Sequence, residues 1–297
     1  MTPTDLVEDF LLLWILLSVA LGVAVPGIAV VTRVSTLVLA VMIGSISLTL
    51  SVAQFRRIDR RTLVLVLVGH VTMPFLAAGI ARALGLSPAL TVGFVVLGAV
   101  TPELVTPVMT DLADGDTALA TTVLILTGVG SVGFVPAVVT VLGSVDVPVL
   151  PLVEQLLVAV VAPMVVGVGL RTWRPARVGR YDDYYPAVSA AMVILIIGGV
   201  TAANAGVIRS NGSLLVGVVV GAVVLNGAGY GVGYLVGRRA LGPAHVASIL
   251  SVGMRDFAVA AALVVAAGLP TVASLPAVAF GVVEMVTSAG LAAWVTR

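Results

Sequence analysis

The sequence predicts an all-α membrane protein of ten transmembrane helices, arranged as two inverted five-helix repeats. Three observations carry that prediction. Hydrophobic residues make up 60% of the 297 and charged residues 10%, with a mean hydropathy of +1.22, whereas a soluble domain carries about 25% charged residues. Apolar runs recur at the length of about 20 residues that a helix needs to cross a bilayer. Two of those runs are interrupted, near Val100–Thr110 and Ser251–Asp256, by proline, glycine and charged residues. Paired discontinuous helices of this kind are how many carriers build a central site.

Taken in order, the spans are expected at 10–31, 35–53, 62–84, 89–113, 117–143, 150–171, 186–207, 213–236, 245–268 and 274–296, with the fourth and ninth broken. The first follows Asp5, Glu8 and Asp9 rather than the positive start of a cleaved signal, so it reads as a true span. The loops are short and leave no room for a separate soluble domain. Arg56, Arg57, Arg60, Arg61, Arg171, Arg174, Arg177, Arg180, Arg238, Arg239 and Arg297 collect on one side, and only Arg33, Arg82 and Arg209 on the other. That asymmetry puts both termini in the cytoplasm and the chain in the inner membrane of a prokaryote. Ala81-Arg82-Ala83-Leu84-Gly85 precedes the first broken span and Arg238-Arg239-Ala240-Leu241-Gly242 the second, followed by Pro88 and Pro243. The repeats are therefore placed at 1–143 and 150–297, and five spans in each make the repeat inverted.

Within the first break, Pro102 and Pro107 remove two backbone donors and disfavour helix at Thr101 and Thr106. Glu103 lies between them. Freed carbonyls and a charge are costly in hydrocarbon unless they face protein or water, which makes the break a place for something polar to bind. Four charged residues sit at membrane depth, Glu103, Arg255, Asp256 and Glu284, joined by His70 and Asn226. Intramembrane charge is a functional signal by default, and the competing reading is a buried ion pair of Arg255 with Glu103 or Glu284 that only locks the bundle. One cation cannot neutralise three acids, so at least one carboxylate needs a cation, a proton or water. His70, four residues before Pro74, is expected to bond a carbonyl that the proline frees. Asn226, followed by Gly227 and Gly229, is expected to support close packing.

Other chemistries are set aside. Without Cys there is no disulfide, thiolate metal site or thiol catalysis, and two isolated His make no zinc site. Gly227-Ala-Gly229-Tyr-Gly231 lacks the basic residue of a phosphate loop, and no Ser stands in a nucleophile elbow. No basic patch suggests nucleic acid, and neither an enzyme activity nor a cofactor is expected.

At these residues the sequence resembles the bile acid:sodium symporter family. The resemblance rests on Pro107-Val-Met-Thr-Asp-Leu-Ala-Asp-Gly-Asp116-Thr-Ala-Leu119 and Ser251-Val-Gly-Met-Arg-Asp-Phe-Ala-Val-Ala-Ala-Ala262, with weaker echoes at Met73-Pro74 and Leu225-Asn226-Gly-Ala-Gly-Tyr230. It implies a panel domain and a core domain, crossing broken spans 4 and 9, and alternating access for an amphipathic organic anion. It also implies sodium ligands where this chain departs from the pattern. The family's Glu and Gln of the second motif read here as Ser251 and Arg255, its Asn and Ser of the first as Pro107 and Thr106, its span 5 hydroxyls as Ala120 and Leu124, and its span 3 glutamine as Gly69. Glu103 stands where the family usually has Gly.

These readings combine into a secondary transporter of a small or amphipathic organic anion. Arg255, Thr106, Pro107, Asn226 and Met254 are the expected substrate residues. Glu103, Thr106, Ser251 and Asp256 are expected to hold the coupling cation, sodium or a proton, with Glu284 and His70 as charge partners. A sodium-independent or proton-coupled carrier of the same fold, and a transporter-derived sensor, are the alternatives. The substrate and the oligomeric state stay open.

Overall fold

The computed structural model describes residues 10–51, 58–143, 147–240 and 242–295. The sequence expectations for Asp5, Glu8, Asp9, Arg56, Arg57, Leu241 and Arg297 lie outside these residues. All regular structure among the described residues is helical. The helices are α1 (Leu11–Ala24), α2 (Ser35–Ser47), α3 (Arg60–Ala83), α4 (Pro88–Ala99), α5 (Thr106–Leu112), α6 (Thr117–Leu142), α7 (Val149–Gln155), α8 (Ala162–Trp173), α9 (Tyr185–Ala203), α10 (Ala205–Ser210), α11 (Gly212–Gly237), α12 (Pro243–Gly253), α13 (Phe257–Ala266) and α14 (Leu275–Val295). Eight helical stretches are long and apolar enough to cross a membrane, and Leu11–Ala24 and Pro88–Ala99 are shorter apolar helices.

The ends are written in local chemistry. The Asp59 side chain caps α3 by accepting from the N–H of Thr62 at 3.0 Å and its hydroxyl at 2.6 Å. These bonds hold the Asp59 carboxyl below its ordinary range, the Thr62 hydroxyl contributing most. Asp116 caps α6 through the N–H of Leu119 at 3.0 Å, as short polar residues at helix starts do. Proline accounts for the main departure from the expected spans. The first does not run to 31 as one α-helix: α1 stops at Ala24, Val25 is extended at φ −123° and ψ 81°, and Pro26–Val34 is a 3₁₀ helix. Pro26 disfavours α conformation in the residue before it. In the sixth span, α7 and α8 are joined by the π-helical turn Leu156–Val161.

Helices α1 and α2 pack on α9, and α8 on α2, whereas α3, α12 and α14 pack on α11, and α4 on α3. Helix α13 touches both groups, packing on α2, α9 and α14. Close approach depends on glycine at a few points. A Cβ at Gly98 of α4 would lie 2.8 Å from Pro74 Cα in α3, so α4 seats at the proline of its neighbour. A Cβ at Gly93 would lie 1.9 Å from the Ala273 carbonyl oxygen.

That second contact gives a test. Gly93→Ala must push backbone rather than a side chain, and overpacking of this kind costs about 1–3 kcal/mol. Gly79→Ala in α3, where a Cβ meets nothing within 4 Å, should be neutral or gain up to about 1 kcal/mol from helix entropy. Melting temperatures of the two purified variants in detergent read the difference.

Candidate functional site at the crossing of two broken helices

The first break begins where α4 ends. Val100 turns extended (φ −68°, ψ 167°), Pro102 follows with no N–H to donate, and a turn closed by Thr106 N–H to the Glu103 carbonyl at 2.9 Å starts α5. Pro107 lies in the first turn of α5, where a missing N–H is no loss. Pro102 thus stands inside the break and Pro107 begins the next helix. The second break is shorter. Helix α12 ends at Gly253, Met254 is extended (φ −82°, ψ 138°), and Asp256 caps α13 by accepting from Val259 N–H at 2.8 Å.

The breaks bond to each other: Asp256 N–H donates to the Thr101 carbonyl at 3.0 Å. Arg255 lies at this junction and is fully buried. Its backbone N–H donates to Glu284 Oε2 on α14 at 2.7 Å. Its guanidinium turns elsewhere: Nη1 contacts His70 Nδ1 at 2.6 Å and the Val100 carbonyl at 3.2 Å, and Nη2 donates to the Val252 carbonyl at 3.1 Å. A guanidinium only donates, so His70 Nδ1 accepts. His70 therefore faces Arg255 rather than a carbonyl freed by Pro74. The ion pair that the sequence suggests between Arg255 and Glu103 or Glu284 does not form: among the described residues the one side-chain ion pair is Arg171–Asp182, at 2.6 Å.

The acids gather at the same junction. Glu103, Asp256 and Glu284 are 3%, 0% and 0% exposed, and Glu103 is an electrostatic neighbour of both other carboxylates and of the N–H groups of Leu104 and Phe257. Each has one oxygen without a hydrogen-bond partner, as do the buried hydroxyls of Thr101, Ser251 and Ser288. Asn226 braces the second break, donating to the Gly253 carbonyl at 3.4 Å and accepting from Thr287 at 2.7 Å. Tyr230 meets the same Thr287 hydroxyl at 3.3 Å. The Thr106 hydroxyl approaches Met254 Sδ at 3.8 Å, and both residues are buried.

A cavity of about 410 Å³ is lined by the first break and α5 together with α1, α2, α9 and single residues of α13 and α14. Glu103, Leu104 and Val105 of the first break form one wall, Leu11 and Leu12 of α1 and Ser189 of α9 the opposite one. Glu103 is its one charged lining residue, and Arg255 does not line it. Sequence reasoning did not single out Ser189, Thr287 or Ser288. The last two had a signal, since Glu284, Thr287 and Ser288 fall at i, i+3 and i+4 on one helix face. Ser189 had none, because only packing brings α9 opposite the break.

Two comparisons bear on this arrangement. The family model described as Sodium Bile acid symporter family matches residues 36–211. A Bacillus subtilis (strain 168) protein described as "Uncharacterized sodium-dependent transporter YocS" is 26% identical over 262 residues, which span 86% of this chain and 81% of that protein.

The capping role of Asp256 can be separated from its charge. Asp256→Asn keeps a side chain that caps well, whereas Asp256→Ala leaves Val259 N–H unpaired in the interior, a loss of about 1–3 kcal/mol. Thermal melting should place the Ala variant well below the Asn variant; equal melting would show that the cap contributes nothing.

Proposed function

The chain belongs to the sodium bile acid symporter family, a family of membrane transporters of small molecules, and from that premise we propose that it is a proton-coupled carrier of an amphipathic organic anion. The observation that carries this reading is Glu103, a buried carboxylate with an unpartnered oxygen and the one charged residue on the wall of a mainly apolar cavity. An ionised Glu103 and an organic anion a few ångströms apart would repel by about 4 kcal/mol at an intermediate dielectric. Anion and proton therefore enter together: each raises the affinity for the other by the same factor. The apolar part of the wall takes the hydrophobic body of the substrate, and Ser189 and the break backbone are the polar groups nearest its anionic end.

In this reading the ten spans are the eight long stretches plus Leu11–Ala24 and Pro88–Ala99. They form inverted halves at 1–143 and 150–297, with both termini in the cytoplasm of a prokaryote. Alternating access is a rocking of the α3–α4–α11–α12–α14 group against the α1–α2–α8–α9 group about the crossing. Two features support it: the cavity has the first break on one side and α1 and α9 of the second group among its other lining, and α13 touches both groups. Substrate contact then falls to the cavity wall, while Arg255, Asn226 and Met254 hold the crossing behind it.

A second reading keeps sodium as the coupling ion. It is favoured by the unpartnered oxygens of Thr101, Glu103, Ser251 and Asp256, a set of hard oxygen donors suited to such a cation, and by the description of the B. subtilis relative as a sodium-dependent transporter. Uptake of a panel of radiolabelled organic acids into proteoliposomes, under an inward proton or an inward sodium gradient, decides between them. The proton reading expects uptake to follow the pH gradient and not the sodium gradient. It also expects Glu103→Gln, which mimics the protonated acid, to retain substrate exchange while losing the response to pH. Accumulation driven by sodium alone would remove the proton reading in favour of the second one.

A further inference from the structure

We propose that the seam between α3 and α11 binds one anionic phospholipid, its phosphate held by Arg238 and Arg239 and one acyl chain lying along the apolar groove beside them. This site is separate from the crossing and from the cavity that Glu103 lines. It does not depend on which anion or ion the protein carries.

The groove follows from how the two helices meet. They approach most closely at glycines: a Cβ at Gly69 of α3 would meet Val232 and Val236 at 3.4 Å, and one at Gly229 of α11 would meet Met73 Cε at 3.1 Å. Two cavities, of about 480 and 330 Å³, open along this contact and share Leu235 and Val236. They make one continuous groove. Phe75 and Leu76 of α3 form its deep end, and Leu65 with Arg238 and Arg239 its mouth. From Leu65 to Leu76 the helix rises about 16 Å, at about 1.5 Å per residue. That is the depth of one leaflet in a hydrocarbon core of about 30 Å.

The chemistry of the groove is that of a lipid site. Phe75 and Leu235 are 52% and 57% exposed, so the groove opens to the outside of the bundle. Its walls are apolar apart from the arginines and Thr72, whose hydroxyl donates to the Gly69 carbonyl of its own helix at 2.7 Å. Arg238 and Arg239 directly follow Gly237, the last residue of α11, where a spanning helix reaches the lipid phosphates. Neither forms an ion pair among the described residues. Asp59, at the start of α3, does not line the groove. Its carboxylate accepts from the N–H groups of Arg61 and Thr62 and from the Thr62 hydroxyl. Two guanidinium forks match the oxygens of a phosphate, and basic pockets between spanning helices suit anionic headgroups. A soluble anion would use the arginines and leave the groove empty. A zwitterionic lipid would fill the groove but bring its own cation to compete with the arginines.

Melting of the purified full-length protein in detergent tests the site, with phosphatidylglycerol and chain-matched phosphatidylcholine as probes. Phosphatidylglycerol should raise the melting temperature saturably, and phosphatidylcholine should not. Arg238→Gln with Arg239→Gln should melt as the wild type in detergent alone and bind phosphatidylglycerol about tenfold or more weaker, as the loss of charge-assisted bonds implies. Arg177→Gln with Arg180→Gln, which removes equal charge from the connection between α8 and α9, should keep the full response. Equal shifts with both lipids, an undiminished response in the first double variant, or an equal loss in the second would overturn the proposal. So would a shift of the same size with inorganic phosphate or glycerophosphoglycerol, which would reveal a site for soluble anions. If the first double variant does not accumulate, native mass spectrometry of the wild type carries the test. One phosphatidylglycerol retained per chain from an equimolar mixture with phosphatidylcholine supports the site, and retention of neither or of both alike rejects it.

Discussion

Everything at the centre of this molecule follows from the need to satisfy backbone groups freed inside hydrocarbon. Two helices stop halfway through the bundle and two others restart, leaving carbonyls at one set of ends and N–H groups at the other. With no water to accept them, these groups must be met by protein. They are met across the junction. Asp256 N–H bonds Thr101, Arg255 N–H bonds Glu284, the guanidinium takes Val100 and Val252, and Asn226 takes Gly253. Remove that mutual satisfaction and the two breaks have no reason to meet.

The charges are sorted by the helix dipoles. The cation stands at the C-terminal ends of α4 and α12, where the field is negative. Asp256 and Glu103 stand at the N-terminal end of α13, where it is positive. This sorting turns the guanidinium away from Asp256 although the two residues are adjacent in sequence, and each acid keeps an unpartnered oxygen. A cation that neutralised them directly would leave little for a coupling ion to do. Because the guanidinium is spent on backbone, the carboxylate side retains capacity for a proton or a metal ion.

The scaffold around the junction is close-packed where it must not move. A Cβ at Gly229 would lie 2.9 Å from Gly253 Cα, and one at Gly233 2.6 Å from Ile249 Cα, so α11 lies directly on α12. Small residues permit this approach, and dispersion rather than hydrophobic exclusion rewards it in a lipid environment. The contrast with the cavity is informative: there a gap of about 410 Å³ stays open between the first break and α5 on one side and α1 and α9 on the other. Tight contact within one group and a gap between groups is the distribution a rocking motion needs.

Helix content, the positions of the long spans and both breaks were legible in the sequence, because hydropathy and proline act locally. A run of about 20 apolar residues can satisfy its backbone only as a helix, and a proline marks its own interruption whatever surrounds it. The family was legible too, in the motifs around Pro107 and Ser251. The partner of each buried charge was not. Sequence offered Glu103 or Glu284 for Arg255, by opposite sign, whereas the guanidinium went to two carbonyls and His70. That choice depends on where the dipoles of four helix ends point, and direction in space is absent from a linear pattern. For the same reason the sequence alone singled out Glu103 as a carboxylate at membrane depth, but only the packing of α1 and α9 near the first break decided that it would face a cavity.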